Sequence, residues 1–181
     1  MLEYNVSSRY AVALMQLAEE KDSFEQISND IEFVYNTFSK SKELRNIISS
    51  PVIDQAKKTV ILEEIFSQHI KTDSLNFIKF VIDKNRDDLL FSILRRFVDL
   101  RDAKLGIANA EIYCAVDISE DMKNDLAEKL KEYTGKKIKA DYKVKESLIG
   151  GFKIKIGDKV WDASVSNQLS SLKKTLLSKT V

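Results

Sequence analysis

The 181-residue sequence is poor in the residues that most chemistry needs: one cysteine, one histidine, one proline and one tryptophan, with five glycines. A single cysteine, Cys114, excludes an intrachain disulfide framework and fits a reducing compartment. One histidine and one cysteine leave no zinc shell. His69 lies near the end of an expected helix, far along the chain from Cys114, which reads as an inward strand residue. A surface histidine and a buried structural cysteine are therefore expected rather than a catalytic couple. No apolar run approaches the roughly 20 residues of a membrane-spanning helix. The start, Met1-Leu2-Glu3-Tyr4, has no basic stretch leading into an apolar one, so secretion is not expected. Charge of one sign is also missing: 29 Lys/Arg face 28 Asp/Glu. No global field draws the molecule onto nucleic acid or an anionic membrane, and a partner must be recognised by shape.

Phosphate-binding and acid–base patterns are equally absent. Five residues separate Gly151 and Gly157 where a Walker loop has four, Asp158 precedes Lys159, and Phe152, Ile154 and Ile156 alternate through the gap, which is a strand pattern. Glu63-Glu64 and Asp87-Asp88 are adjacent pairs on expected helices, so their side chains diverge by about 100° and read as solvated faces rather than a dyad. Neither a catalytic residue, a metal site nor a cofactor is expected.

What is present divides in two. All glycines (Gly106, Gly135, Gly150, Gly151, Gly157) lie beyond residue 105, and Pro51 lies before it. Residues 1–105 hold 15 Lys/Arg against 17 Asp/Glu, and residues 106–181 hold 14 against 11. Two domains, 1–105 and 106–181, are expected. The first reads as six helices in a compact bundle. Tyr10, Leu14, Leu17 and Ala18 keep one face of a first helix, and Phe24, Ile27, Ile31, Val34 and Phe38 keep the seam of a second. A short helix around Leu44 to Ile48 stops at Ser50-Pro51, because proline disfavours helical geometry in the residue before it. Asp54 is placed to cap a fourth helix carrying Val60, Ile61, Ile65 and Phe66, and Thr72 or Asp73 a fifth from Ser74 to Lys84. A sixth, from about Arg86, carries Leu90, Ile93, Leu94, Phe97 and Leu100.

Beyond Gly106 the period changes. Ala108, Ala110, Ile112, Cys114, Val116 and Ile118 alternate with polar residues as a half-buried strand. Ser119 opens a helix with Met122, Leu126, Leu130 and Tyr133 on one face and Gly135 at its end. Ile138 to Val144 and Phe152 to Ile156 alternate again. A last helix is expected to bury the stripe Val165, Leu169, Leu172 and Leu176. The fold class is α+β: a helical N-terminal bundle, then a small mixed α/β domain of one sheet with two covering helices.

Two features exceed what folding requires. Lys137, Lys139, Lys143 and Lys145 share one strand face, broken by Asp141, with Tyr142 opposite. That is either the polar side of an edge strand or a nucleic-acid surface. Helices one and five are over-supplied with apolar residues. Ala11 to Met15 wrap the whole circumference of the first, and Leu75, Phe77, Ile78, Phe80, Val81 and Ile82 fill the fifth. Leu75, Ile78 and Ile82 are placed to face the core while Phe77, Phe80 and Val81 face elsewhere. Either the two helices are central and buried on all sides, or they leave a groove for a partner helix.

Arg9-Tyr10-Ala11-Val12-Ala13-Leu14, the Ser50-Pro51 break after Leu44, Phe77-Ile78 through Asn85-Arg86 to Phe97, and Leu148-Ile149-Gly150-Gly151-Phe152-Lys153-Ile154 resemble, in order, the delta subunits of F-type ATP synthases. They are similar also to the mitochondrial oligomycin-sensitivity-conferral protein. Ala140, small for a strand, and the acidic Asp87-Asp88 depart from the family pattern. The resemblance implies a non-catalytic stator subunit with no cofactor, nucleotide or small-molecule substrate, on the cytoplasmic face of a bacterial plasma membrane. It implies that the N-terminal bundle binds the N-terminal helix of an alpha subunit, and the groove expected to receive it, between helices one and five, is that of Tyr10, Ala13, Leu14, Phe77, Phe80 and Val81. The C-terminal domain would hold the end of the b-subunit stalk through the helix of Val165, Leu169, Leu172 and Leu176, with Gly150 and Gly151 as a structural turn. The alternative of another class is a helical adaptor using the lysine strand to bind nucleic acid.

Overall fold

The computed structural model describes residues 2–178. It is α+β and divides into two compact units, residues 1–101 and 102–181. The division falls inside the sixth helix, a few residues before the composition boundary at 105.

The N-terminal unit contains α1 (Leu2–Glu20), α2 (Phe24–Lys40), α3 (Lys42–Ser49), α4 (Gln55–Phe66) and α5 (Thr72–Asp83), and α6 (Leu90–Lys104) begins there after a short 3-10 turn, Asp87–Leu89. Their apolar stripes close on one core. Ala11, Leu14 and Ala18 of α1 meet Ile27, Ile31, Val34 and Phe38 of α2, together with Leu62 and Phe66 of α4. Ile78, Val81 and Ile82 of α5 and Leu90, Ile93, Leu94 and Phe97 of α6 complete it. Within α4 only part of the expected stripe is inside: Phe66 is buried, whereas Val60 and Ile65 are exposed and Leu62 takes their place.

Helix termini depart from the expected caps for a tertiary reason. Asp54 occupies the N-cap of α4 without a side-chain capping bond, and Lys71, not Thr72 or Asp73, precedes α5. The donors at the start of α5 are met from another helix. Asp30 of α2 accepts the Lys71 amide at 2.9 Å and the Ser74 hydroxyl at 2.7 Å. Asp87, expected on a solvated face, instead pairs with Lys58, whose side chain is almost fully buried on α4.

The C-terminal unit is a four-stranded sheet in the order β2-β1-β3-β4. β1 (Ile107–Cys114) and β2 (Lys137–Val144) run parallel through α7 (Glu120–Thr134), a βαβ unit. β3 (Phe152–Ile156) and β4 (Lys159–Asp162) add an antiparallel hairpin beside β1. β4 has no counterpart in the sequence reading. Ser119 caps α7 by accepting the Met122 amide at 3.4 Å, and Gly135 ends it at φ +67°. The core is Ala110, Ile112, Cys114, Leu130 and Ile154, with Leu126, Ile138 and Tyr142 packed beside it. The Tyr142 hydroxyl donates to the Lys123 carbonyl at 2.8 Å and ties α7 to β2.

Three expectations here need correction. Met122 and Tyr133, read as part of the buried face of α7, are exposed, so that helix lays down only its middle. Val116 is exposed beyond the end of β1, which stops at Cys114. The last helix, α8 (Val165–Ser178), does not bury its stripe. Val165, Leu169, Leu172 and Leu176 are 36, 52, 60 and 67% exposed. Its packing partner within the unit is the 3-10 turn Glu146–Leu148, not a face of the sheet.

Candidate functional site

Helices α1 and α5 both pack on α2 and run antiparallel, as two cross-contacts establish. The Tyr10 and Phe80 rings approach at 6.3 Å between centroids, and Lys21 Nζ meets Asp73 Oδ1 at 2.7 Å. A cleft of about 620 Å³ lies between those two pairs. Its walls are Tyr10, Ala13 and Leu17 from α1 and Asn76, Phe77 and Phe80 from α5, with Arg9 also on the lining. Leu14 forms the floor, being buried yet bordering the cleft.

Elementary helix geometry explains the composition. Tyr10, Leu14, Leu17 and Lys21 are one stripe of α1 at spacings of four, three and four, and Asp73, Phe77 and Phe80 are the matching stripe of α5. Ala13 is exposed and small, and its methyl takes little of the cleft's space. Phe80 is 47% exposed, a large apolar ring held at the surface by Tyr10 on one side and by the Lys84 ammonium 5.4 Å from its centroid.

Of the six sequence-predicted groove residues, the cleft gathers Tyr10, Ala13, Leu14, Phe77 and Phe80. Val81 is a correction: it is fully buried in the core beside Ile78 and Ile82. On α5 it sits between the Phe77 direction and the Ile78 direction, and the core claims it. Arg9, Leu17, Lys21, Asp73 and Asn76 were not foreseen. The signal for Leu17 and Lys21 was the continuation of the Tyr10–Leu14 stripe by one turn. The apolar excess on α5 does not come from burial on every side, since Phe80 is open to solvent.

The Gly150-Gly151 turn is built for close approach. A Cβ at Gly151, which has φ +73°, would lie 2.4 Å from the Ala163 carbonyl oxygen, and one at Gly150 would lie 2.9 Å from Cγ2 of Val165. The bare backbone is used: Gly150 O accepts the Val165 amide at 3.0 Å, and Gly151 O accepts the Ala115 amide at 3.4 Å. The turn thereby fixes where α8 begins. It also borders a second cleft of about 520 Å³, lined by Val116, Ile118, Met122, Leu126, Ile149 and Phe152 among others. Cys114 lies at its edge, where burial and then the Asp117 carboxylate push the thiol pKa up and keep it protonated.

The lysine strand, β2, is an edge strand of the sheet. Part of the lysine charge is internally engaged: Lys143 meets Asp141 at 2.9 Å, and the ammoniums of Lys143 and of Lys145, one residue past the strand, each lie 5.9 Å from the Tyr113 ring of β1. Tyr113 is an aromatic on the lysine face that the sequence reading did not place there. Among the described residues no group of three or more His, Cys, Asp or Glu is arranged to hold a metal, and no helix is long and apolar enough to cross a membrane.

The sequence profile of the ATP synthase delta (OSCP) subunit matches residues 6–176, nearly the whole chain. The chain belongs to the ATP synthase delta (OSCP) family. The ATP synthase subunit delta of Chlorobium phaeovibrioides is 36% identical over 171 residues, 94% of each chain. That of Chlorobaculum tepidum is 37% identical over the same length and coverage, and that of Chlorobium phaeobacteroides is 37% identical over 175 residues, 97% of each. Among solved structures, a chain of the Toxoplasma gondii mitochondrial ATP synthase hexamer superposes with a TM-score of 0.73 at 20% identity, covering 94% of this chain and 97% of that one. Membership in the delta (OSCP) family makes this chain a non-catalytic stator subunit of the peripheral stalk of an ATP synthase.

Proposed function

We propose that the N-terminal unit is a six-helix bundle that grips the N-terminal helix of an ATP synthase alpha subunit in the α1/α5 cleft. The C-terminal unit holds the end of the b-subunit stalk, with α8 as its contact. The chain then joins catalytic head to stalk and resists rotor torque on the cytoplasmic face of a bacterial plasma membrane.

The observation that carries this reading is the cleft itself. It is apolar, lies between two antiparallel helices, is ringed by Tyr10, Phe77 and Phe80, and has the small Ala13 in its wall. Aromatic anchors around a shallow apolar trough suit an amphipathic helix, which inserts residues at spacings of three and four. A small residue lets the guest axis approach to the usual ~8–10 Å. The exposed stripe of α8 supports the second contact, since Leu169, Leu172 and Leu176 are each left more than half exposed to water.

The test is titration of the chain with a peptide of the alpha N-terminus, alongside its unfolding midpoint. Phe80→Asp puts an unpaired carboxylate into the apolar contact and should weaken binding by several kcal/mol, each ~1.4 kcal/mol being tenfold. Because Phe80 is half exposed, the midpoint should move little. Ala13→Leu, which fills the trough from an exposed site, should also weaken the peptide without unfolding the helix. Undiminished binding in both variants overturns the cleft assignment.

A further inference from the structure

The apolar residues of α8 are spaced four, three and four apart: Val165, Leu169, Leu172 and Leu176. That is the two-position seam of a heptad repeat, with Leu169 and Leu176 at one core position and Val165 and Leu172 at the other. The seam is narrow, widened only at the last turn by Leu177, and the remaining side chains through Thr175 are Ser, Asn, Gln, Lys and Thr. A helix lying on lipid or on a sheet presents a broader stripe, whereas a strict two-position seam is what one facing helix covers.

The start of α8 is rigidly placed. The Ser164 hydroxyl accepts the Asn167 amide at 3.2 Å, while Asp162 Oδ1 accepts the Ser164 hydroxyl at 2.6 Å and its amide at 3.1 Å. The seam is thus offered on a fixed helix although, among the described residues of its unit, Leu169, Leu172 and Leu176 stay more than half exposed. A helix of this length is marginal alone in water, which makes a second helix its natural complement.

Charge selects which helix. Between Val165 and Ser178 there is no acidic residue, and Lys173 and Lys174 are exposed. Lys173 directly follows Leu172 and occupies a flank of the seam, where coiled coils place the charges that choose partners. A second copy of α8 offers Lys173 no acidic counterpart, whereas Glu or Asp on a partner's flanks is attracted to it. We propose that α8 is one strand of a two-stranded coiled coil, its partner a helix with a leucine-type heptad core and acidic flanks. The proposal rests on the reading of the C-terminal unit as the stalk-holding unit and adds the chemistry by which the partner is chosen.

The experiment uses the full chain and two synthetic helices about four heptads long. Both carry the same leucine core; one has Glu at its flanking positions and the other Lys. Fluorescence anisotropy should show binding of the Glu peptide, weakening with salt, and at least about tenfold weaker binding of the Lys peptide. Lys173→Glu should narrow or reverse that preference. Leu169→Ser with Leu172→Ser should abolish binding and leave the unfolding midpoint in place, because both side chains are exposed in the free chain. Equal affinity for the two peptides, absence of binding, or self-association of the chain that the double variant removes, each overturns the proposal. Capture of authentic b subunit separates this failure from failure of the wider reading. A double variant that still retains b overturns the coiled coil and leaves the stator connection standing, whereas a wild-type chain that captures no b overturns both.

Discussion

Asp30 on α2 and Ser74 on α5 form a buried hydrogen bond of 2.7 Å between residues 44 positions apart, and the same carboxylate oxygen takes the Lys71 amide. The wall of the α1/α5 cleft is therefore anchored by a helix that does not line it. Asp30→Ala leaves the Ser74 hydroxyl and one helix-start amide without this acceptor, a loss of about 1–3 kcal/mol. Chemical denaturation should show that loss, and binding of the alpha peptide should weaken in the same variant because α5 is no longer held at its start. A stability equal to wild type would remove Asp30 from this role.

The Lys58–Asp87 pair makes a directional forecast. Lys58 is 2% exposed and Asp87 17% at their side chains, so removing the carboxylate strands the more buried charge. Asp87→Ala should cost on the order of 3 kcal/mol, and Lys58→Met less, since Asp87 retains access to water. Replacing both together should recover part of the loss. Denaturant midpoints of the two single variants and the double variant give the comparison, and the reverse ranking would refute it.

Two glycines separate backbone strain from steric collision. Gly157 has φ +59° with nothing near its missing Cβ, so Gly157→Ala should cost only ~1–2 kcal/mol for the left-handed backbone. Gly151→Ala adds a clash with the Ala163 carbonyl and should cost clearly more. Trp161, the single tryptophan, lies on β4 and reports on the C-terminal unit. Its fluorescence should show the larger loss for Gly151→Ala; equal losses would mean that the close approach is unimportant.

Asp162 gives the C-terminal unit an acid limit. The Ser164 hydroxyl and then the Ser164 amide, with Lys153 behind them, hold its carboxyl below the ordinary value of 3.8. A group whose folded pKa is depressed contributes stability above its unfolded pKa and loses it as pH falls through the folded one. The start of α8 should therefore loosen below about pH 4, and the Trp161 midpoint should fall there. Asp162→Asn should flatten that part of the pH profile, and an unchanged profile would exclude this carboxylate as its cause.

Much of the fold follows from local patterns. The seam Ile27, Ile31, Val34, Phe38 and the alternation Ala110, Ile112, Cys114 place helix and strand and their buried sides, because both periods are properties of the chain itself. Ser119 and Gly135 bound α7 for equally local reasons, a side-chain acceptor and a left-handed terminus. The Tyr10–Leu14 stripe and Phe77 and Phe80 could be named from apolar excess alone.

Period gives a stripe, not its cover. Val81 and Phe80 are neighbours on one apolar helix, yet the core takes the first and solvent the second, a choice made by where α2 and α4 lie. The stripe of α8 reads like any buried one, yet among the described residues of its unit nothing buries Leu169, Leu172 and Leu176. β4 is four residues long with exposed Val160, too short for a periodic signal, and exists through its pairing with β3. Asp30 at the head of α5 and Asp87 against Lys58 are long-range pairings, and no window along the sequence contains both partners. Which residues are apolar, and at what period they recur, is local information that the chain carries along its length. The tertiary structure decided which apolar faces remain uncovered, because burial depends on the element that arrives opposite and not on the face that waits.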